Sequence, residues 1–319
     1  MQKITSTYTQ GDYVPGPDGL VHPSFFFQDM GRIGTDKPNL QNIPKREGLE
    51  YATAIRRCFV APKGCVFLEF DYSGIEALLV GWLAGDGDYI RLAKLGVHTF
   101  VAARRAGIRV DLSLPDEQLR GLLGAAKKEA KRTGQYDKMK RVVHGCNYLL
   151  GARTMSLLFP EEFGSQREAQ AEQDFYFGLF PKVGTWQDAV ISEAERRHYL
   201  MTPFGDILWL WDVKHWSGKE QKKVNGRDAP RAVAFKPQCM ASRVLKRSLL
   251  GLRHRAVDGT LRLPIHDALV FIVREEVVHE LAAEVRAVMT APIEQLGGLS
   301  VDVAGHWGPV WVEEEMEEI

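Results

Sequence analysis

The chain has 319 residues, is 45% hydrophobic and carries 41 basic against 41 acidic residues, so its formal net charge is zero. A chain of this length can bury one large core or build two to three subdomains around one. It contains no run of about 18 apolar residues and no signal-peptide pattern, which argues against membrane-spanning and secreted proteins and favours a cytoplasmic location. The four cysteines form no Cys-x-x-Cys pair, which argues against zinc and disulfide-bonded proteins.

The neutral average hides a local asymmetry of charge. Residues 88–158 hold 14 Lys or Arg against 6 Asp or Glu, whereas the last nine residues hold five glutamates, which predicts a solvated acidic tail at 312–319. Because salt screens each charge beyond roughly 8–10 Å, a basic lobe can bind phosphates whatever the average of the chain. The alternative is a basic helix face that is only solvated.

The first 30 residues are punctuated by Gly and Pro and predict extended segments and turns. Arg32, Asn39, Gln41 and Arg46 follow on a predicted loop. Asn and Gln side chains on a loop suit hydrogen bonds to base edges and sugars, and the two arginines suit phosphates. The alternative is an Asx-type turn network in which these side chains satisfy their own backbone.

An apolar run at residues 66–70 predicts a short buried strand that ends at Asp71. The helical pattern that follows buries its apolar residues and so holds Glu76 rigidly near Asp71. A second carboxylate, Asp267, stands beside His266 at the tip between two apolar strands. If the two tips meet, Asp71 and Asp267 form a paired oxygen site suited to two Mg²⁺ ions about 3.5–4 Å apart.

From Asp86 to about Arg105 the pattern is helical and contains His98, and residues 107–135 are rich in Lys, Arg and Gly. A lone His is more often an ordinary surface or core residue than a functional one. This pattern alone therefore leaves the role of His98 open.

Residues 138–151 predict an amphipathic helix whose apolar side chains fall in one sector. On another sector Lys140, His144 and Tyr148 stack at positions i, i+4 and i+8. Two protonatable groups and one aromatic ring in a row suit a triphosphate tail and a nucleobase. The alternative is an ordinary amphipathic helix with a solvated face.

The rest of the chain predicts helices and hairpins without a cofactor motif. In order, the pattern predicts helical residues at 163–200, a hairpin at 199–211, a flexible loop at 214–229, a helix that runs through Arg247, and a last unit at 274–311 that completes the sheet.

Two motifs in a fixed order identify a family. Asp71-Tyr72-Ser73-x-x-Glu76 and the later His266-Asp267 resemble the first and last signature motifs of the family A DNA polymerases, the group of bacterial DNA polymerase I. The likeness covers nearly the whole chain, through Ser6-Thr-Tyr, Gly31-Arg32, the segment 38–44, the 138–151 helix, Pro237-Gln238 and the closing Gly305-x-Trp307.

The resemblance implies an α+β fold with an antiparallel palm sheet and a helical fingers subdomain. This is a right-hand polymerase fold that lacks most of the thumb. The implied domains are a thumb-to-palm connection at 1–30, the first part of the palm at 31–85, the fingers at 86–200, the second part of the palm at 201–311 and the acidic tail at 312–319.

The implied function is template-directed DNA synthesis, in which dNTPs are added to a primer 3′-hydroxyl and pyrophosphate is released. Asp71, Asp267 and the backbone carbonyl of Tyr72 would hold two Mg²⁺ ions, with Mn²⁺ as a substitute. The implied nucleotide-binding residues are His98, Lys140, Arg141, His144, Tyr148 and Glu76, and the implied DNA-binding residues are Arg32, Asn39, Gln41, Arg46, Arg231, Gln238 and His266. Among the nucleotide-binding residues, Glu76 would act as a gate against ribose.

The sequence departs from the family pattern at several of these positions. Lys140 stands where the family has Arg, and His144 stands where it has the Lys assigned as general acid for the leaving pyrophosphate. We therefore expect His144 to donate the proton, or else Lys140 or Arg141. Ala152 and Ala268 replace a Tyr and a third carboxylate of the family. The interval between His98 and the 138–151 helix is longer than in the family, which implies an insertion at 107–135.

Two other functions fit parts of the pattern. A two-metal phosphodiesterase would also use Asp71 and Asp267 and would shorten DNA, and a non-catalytic nucleic-acid-binding relative would bind it only. We expect primer-template DNA and dNTPs as partners, in the cytoplasm of a bacterium or a phage-infected cell. Because the likeness begins just after the family's thumb, we also expect a second polypeptide that supplies a thumb, an exonuclease domain or both.

Overall fold

A computed structural model describes residues 13–43 and 50–319, apart from the side chains of residues 50–52. The chain divides into two compact units. The first takes the described residues up to Ser73 and from Ser242 to Ile319, and the second takes Gly74–Ala241. The domain boundaries expected after residues 85 and 200 therefore lie inside the second unit.

Strands and helices alternate irregularly along the chain. The strands are β1 (Ser24–Phe27), β2 (Ile33–Asp36), β3 (Cys65–Tyr72), β4 (Tyr199–Met201), β5 (Ile207–Trp209), β6 (Lys214–Ser217), β7 (Lys222–Asn225), β8 (Leu261–Ile265), β9 (Ala268–Arg274), β10 (Val303–Gly308) and β11 (Glu317–Glu318). The helices are α1 (Glu50–Arg56), α2 (Ile75–Ala84), α3 (Gly87–Leu95), α4 (Val97–Arg105), α5 (Asp116–Arg132), α6 (Gln135–Asn147), α7 (Ala152–Leu158), α8 (Gln166–Leu179), α9 (Pro181–Arg197), α10 (Ala229–Leu252) and α11 (Val278–Met289).

Strand β3 lies at the centre of the first unit, in a sheet of order β11-β10-β3-β9-β8 whose paired strands are all antiparallel. Its apolar run explains this position, because the neighbours Phe67 and Leu68, which point to opposite faces, are both buried. A strand covered on both faces carries a continuous apolar run. Helix α11 packs against β3 and β10. The α+β class with an antiparallel sheet is thereby confirmed.

The acidic end of the chain is an ordered edge of this sheet. Strand β11 pairs with β10, where His306 lies opposite Glu318, and Arg57 Nε donates a hydrogen bond to Glu315 at 2.6 Å. The glutamates remain exposed, with charges that protect a sheet edge from further pairing. The predicted tail is therefore solvated on its side chains, but its backbone continues the sheet.

Helices dominate the second unit, and two of them replace the single helix expected from Asp86 to Arg105. Gly96 separates α3 from α4 at φ 127°, a conformation that residues with a side chain rarely adopt. The predicted insertion at 107–135 contains α5, whose Leu119 and Leu123 lie one turn apart and are buried.

A second difference concerns the predicted flexible loop at 214–229. It contains the hairpin β6–β7, in which Lys214 lies opposite Asn225. The expectation of a flexible loop was wrong because most residues of this hairpin are exposed and polar, so the apolar alternation that marks a strand is missing. In the part of the chain that the structure describes, none of the helices combines the length and the apolar composition that a membrane span requires.

Candidate active site

The two predicted aspartates lie at the same end of the sheet in the first unit. Asp71 on β3 is directly opposite Ala268, the first residue of β9, and Asp267 precedes Ala268 in the tight turn from β8. The Tyr72 N–H donates to the Asp267 carbonyl at 3.3 Å. Antiparallel register therefore makes the two aspartates neighbours, as the sequence predicted. We call Asp71, His266 and Asp267 the carboxylate turn.

The side chain of Tyr72 anchors the end of β3 in the core. Its ring is buried, its hydroxyl donates to the Met289 carbonyl at 3.0 Å, and it shares a 2.6 Å hydrogen bond with the Ser248 hydroxyl. Burial raises the pKa of Tyr72 to about 12, so the phenol stays neutral. Only the backbone of Tyr72 is a candidate ligand, which agrees with the carbonyl that the family pattern implies.

His266 occupies a strained position in the carboxylate turn. Ile265 pairs with Ala268, so His266 and Asp267 form a two-residue hairpin loop. The φ of His266 is 53°, and its side chain is exposed. Loops of this kind favour Gly where φ is positive, and another residue costs on the order of 1 kcal/mol. A strained, exposed His beside two carboxylates is typical of a functional site.

The donor atoms of the carboxylate turn fit hard divalent cations. Asp71 and Asp267 are both half-buried, and Oδ1 of Asp71 is closed to solvent. Carboxylate and carbonyl oxygens are the ligands that Mg²⁺ and Mn²⁺ prefer. Among the described residues no group of three or more His, Cys, Asp or Glu could hold a metal.

In the second unit, a row of rings connects α4, α6 and α5. His98 on α4 stacks on His144 of α6, with centroids 5.4 Å apart and planes at 28°. The Tyr136 ring meets His98 edge-on at 6.3 Å, and Lys127 Nζ of α5 lies 5.6 Å from the Tyr136 centroid. Lys140 is exposed one turn before His144. We call His98, Lys127, Tyr136, Lys140 and His144 the cation cluster.

The protonation of the two imidazoles follows from this crowding. Burial is the main reason that the pKa of His98 is lowered to about 3, and nearby cations, Lys127 among them, act in the same direction. Burial also lowers the pKa of His144, which Glu76 opposes and Lys140 reinforces. Nε2 of His98 is buried and has no hydrogen-bond partner within the described residues. An anion placed beside either ring would therefore raise the pKa of that imidazole.

A further polar contact of this unit joins Tyr148 to Glu76. The Tyr148 hydroxyl donates to Oε2 of Glu76 at 2.6 Å. The helix predicted at 138–151 ends earlier, because α6 stops at Asn147 and Tyr148 is its C-cap residue. Asn147 is buried, where the Tyr176 hydroxyl donates to its Oδ1 at 2.6 Å. This buried contact holds the helix end and therefore the Tyr148 ring.

The end of α6 was unpredictable because its capping residue is unusual. The Leu150 N–H donates to the Gly145 carbonyl at 2.8 Å, and Leu149 has φ 57°. This is a Schellman cap, in which the left-handed residue is usually Gly. Leu149 carries no such signal, and Gly151 suggested a later end.

Three predicted contact residues have partners inside their own unit. Arg141 pairs with Glu162 at 2.8 Å, and its guanidinium lies 4.2 Å from the Phe159 centroid. Gln41 is buried and donates its amide to the Ile33 and Pro264 carbonyls at 2.8 and 3.2 Å.

Asn39 Oδ1 accepts from the Gln41 N–H at 3.1 Å. The Asx-type alternative therefore describes the loop of Asn39 and Gln41, and Arg141 serves the fold of the second unit.

The remaining predicted DNA contacts differ in exposure. Arg32 is half-buried just before β2, Gln238 is half-buried on α10, and Arg231 is exposed in the first turns of that helix. Arg46 lies outside the described residues. Their roles in binding DNA stay predictions.

Sequence reasoning missed Lys127 and Tyr136 of the cation cluster. Both fall in or beside the segment that was treated as an insertion, and only its density of Lys and Arg pointed to phosphate. The helical period would have placed Lys127 and Lys131 on one face of α5, but no periodicity links α5 to His98.

Comparisons with known proteins agree with this arrangement. The model of DNA polymerase family A matches residues 1–313. The chain is 31% identical over 325 residues to the thermostable DNA polymerase I of Thermus aquaticus, covering 95% of this chain and 35% of the relative. It is 29% identical over 301 residues to DNA polymerase I of Pseudomonas aeruginosa, covering 91% and 30%. This chain thus spans about a third of the length of these relatives.

A solved structure shows the same fold. The POL domain of Pol1 from M. smegmatis, in complex with DNA primer-template and dNTP, superposes with a TM-score of 0.73 at 24% identity, over 94% of this chain and 49% of that one. The match to the family model extends over nearly the whole sequence, and the two motif aspartates meet at one end of the sheet. The chain belongs to DNA polymerase family A.

Proposed function

We propose that this chain extends a DNA primer with deoxynucleotides under the direction of a template. The observation that carries the proposal is the carboxylate turn, in which sheet register makes Asp71 and Asp267 neighbours in a chain of DNA polymerase family A. In the reaction, a bond forms between the primer 3′-oxygen and the α-phosphorus. The bond to the pyrophosphate oxygen breaks, and the 3′-hydroxyl loses its proton.

Asp71, Asp267 and the Tyr72 carbonyl would hold two Mg²⁺ ions, and Mn²⁺ has the same preference for oxygen ligands. When bound, such ions lower the pKa of the attacking hydroxyl and neutralise charge on the leaving pyrophosphate. The residues themselves fix the position of the ligand oxygens. Anchoring of Tyr72 to Ser248 and Met289 supports that role, because it keeps the end of β3 from moving.

The cation cluster would bind the triphosphate tail. Lys140 and Lys127 supply positive charge, and His98 supplies a neutral imidazole whose buried Nε2 can pair with a phosphate oxygen. The negative triphosphate raises the pKa of His144, which is low in the free chain. His144 would then carry the proton that the leaving pyrophosphate takes up, the role that the family gives to a Lys.

Glu76 and Tyr148 would select the sugar. The 2.6 Å hydrogen bond holds the Glu76 carboxylate against the edge of the Tyr148 ring, where it would collide with a ribose 2′-hydroxyl. For DNA itself, the exposed His266 is the best-supported contact of the first unit, because it stands at a hairpin position with positive φ where Gly would be free of strain. Arg32, Arg231 and Gln238 are further candidates, and Asn39, Gln41 and Arg46 carry less support.

A primer-extension assay with labelled primer, template, dNTPs and Mg²⁺ tests the proposal. Extension by the purified chain that requires the template and is lost in Asp71→Asn supports it. Shortening of the primer would instead reveal a phosphodiesterase. Binding of primer-template without any change in primer length, in Mg²⁺ and in Mn²⁺, would indicate a non-catalytic relative and overturn the proposal.

A further inference from the structure

The hairpin β4–β5 of the second unit exposes large apolar side chains on one face. Tyr199 lies opposite Trp209, and Met201 lies opposite Ile207, so these side chains share a face of the hairpin. Trp209 is 56% exposed, and Trp211, two residues further along, is 73% exposed. Contiguous exposed apolar residues of this size mark interaction sites in soluble proteins.

The rings on this face form a row of contacts, of which two are stacked and the third, between Trp209 and Tyr199, is tilted at 53°. His198 lies 5.9 Å from Trp211 with planes at 23°, Trp211 lies 6.2 Å from Trp209 at 11°, and Trp209 lies 5.3 Å from Tyr199. The Arg197 guanidinium covers the last ring at 4.9 Å. We call His198, Tyr199, Trp209 and Trp211 the aromatic ladder.

The opposite face of the hairpin makes the aromatic ladder rigid. Leu200 and Leu210 are fully buried. At the tip, the Thr202 N–H donates to the Asp206 carbonyl at 2.9 Å, and the Thr202 hydroxyl donates to the Asp206 carboxylate at 3.0 Å. A ring platform that is fixed before binding loses little entropy when a partner stacks on it.

The charge around the aromatic ladder is positive. Residues 196–231 contain eight Lys or Arg against four Asp or Glu. Asp206 and Asp228 are hydrogen-bonded, to Thr202 and to the Trp211 N–H. Five of the eight cations are ion-paired: Arg197 with Glu193, Lys214 and Lys223 with Glu195, Lys222 with Glu220, and Arg227 with Asp212. Arg196 and Lys219 are exposed and form no ion pair with any described residue. The surroundings therefore favour a polyanion.

We propose that the aromatic ladder binds single-stranded DNA by stacking on its bases, while the surrounding cations contact the phosphates. Every base has a flat face, so stacking on rigid aromatic side chains binds single strands without a sequence preference. A continuous row of rings beside excess positive charge fits this ligand better than an apolar protein helix does. The choice of DNA rests on the proposed function, whereas the stacking surface does not.

Fluorescence anisotropy with a short labelled oligothymidine tests the proposal, without dNTPs or divalent metal. The variant Trp209→Ala/Trp211→Ala should raise Kd at least about thirtyfold, the lower estimate for two lost stacking contacts. Trp209→Leu/Trp211→Leu should weaken binding to a similar extent, because Leu keeps the apolar surface but not the ring. Trp216→Ala is the matched control, since Trp216 is 63% exposed on the neighbouring hairpin but outside the aromatic ladder, and it should leave Kd unchanged.

Three results would overturn the proposal. The first is an unchanged Kd in the Ala double variant, with folding verified by thermal unfolding. The second is full binding by the Leu double variant, which would show that stacking is not involved. The third is loss of self-association in light scattering with an unchanged Kd, which would assign the surface to a second copy of the chain. Asp71→Asn separates the two proposals, because it should abolish extension and leave oligothymidine binding intact.

Discussion

The carboxylate turn and the cation cluster are built in different ways. Backbone pairing between β3 and β9 positions the two aspartates, so their placement depends on register and little on neighbouring side chains. The cation cluster is built from side chains of three helices: the rings of α4 and α6 contact each other, and Lys127 of α5 lies over the Tyr136 ring. A register slip would move a whole strand face at once, whereas a stacked cluster can exchange one member for another. Lys140 and His144, two of the expected departures from the family pattern, belong to the cation cluster.

The largest effect is expected in the carboxylate turn. Asp71→Asn or Asp267→Asn should reduce primer extension about a thousandfold or more, a cost of about 4 kcal/mol, because an amide cannot replace a bridging carboxylate. Primer-template binding, measured by anisotropy, should persist. Asp302→Asn, a change at an exposed Asp of the same unit, is the control. Extension within about tenfold of wild type would remove Asp71 and Asp267 from the metal site.

Sequence alone predicted the carboxylate turn well because its signals are local. The apolar run of β3 and the two apolar strands around His266 specify buried strands, and antiparallel pairing then dictates where Asp71 and Asp267 meet.

The cation cluster was predicted only in part. The family pattern implied His98, Lys140 and His144. Lys127 of α5 joins them through a tertiary contact with Tyr136, which no periodicity of the sequence could indicate. The end of α6 was predicted too late because Leu149 adopts the left-handed conformation, which Gly usually occupies at a helix end.

Substitution of His144 tests whether the cation cluster donates a proton to the leaving pyrophosphate or only binds the triphosphate. His144→Gln should lower the rate of incorporation about a hundredfold, the low end for loss of a general acid. The acid must be protonated, so the wild-type rate should fall as pH rises through the pKa of His144 in the nucleotide complex, where the triphosphate opposes the lowering by burial. His144→Lys should move this fall to alkaline pH, because Lys titrates near 10.4. Pre-steady-state incorporation against pH measures both.

A pH profile that is the same in wild type and His144→Lys would leave proton donation to Lys140. In that case Lys140→Met, and not His144→Gln, should show the larger loss of rate. The comparison separates proton donation from positive charge alone, since His144→Lys keeps a cation at the position.

The contact between Glu76 and Tyr148 offers an effect of intermediate size. Glu76→Ala should raise ribonucleotide incorporation relative to deoxynucleotide about tenfold and lower overall activity, because the carboxylate that excludes a 2′-hydroxyl is gone. Tyr148→Phe removes the hydroxyl that donates at 2.6 Å and should increase discrimination against dideoxynucleotides. Single-nucleotide incorporation with matched sugar analogues measures both ratios. Unchanged ratios in both variants would show that Tyr148 does not contact the sugar.

Substitution of Lys127 tests whether α5, which lies in the predicted insertion, contributes to nucleotide binding. Lys127→Ala should raise KM for dNTPs about threefold to fivefold, the range of one exposed charge contact, and leave kcat nearly constant. Lys128→Ala is the matched control, because it removes the same charge from the next position of α5. Equal effects of the two changes would mean that Lys127 acts only through the general positive field.

The smallest effect is expected at His266 of the carboxylate turn. Two substitutions there distinguish backbone strain from a contact between the imidazole and DNA. His266 is exposed at φ 53°, so Gly should adopt its conformation without strain while an Ala side chain should not. His266→Gly should raise the free energy of unfolding by about 1 kcal/mol, and His266→Ala should leave it near wild type. Urea denaturation at constant pH measures this difference, and both variants lack the imidazole. If His266 contacts DNA, both should raise KM for primer-template to the same extent despite their different stabilities. If only His266→Ala impaired the enzyme, backbone geometry rather than the imidazole would be the feature that positions Asp267.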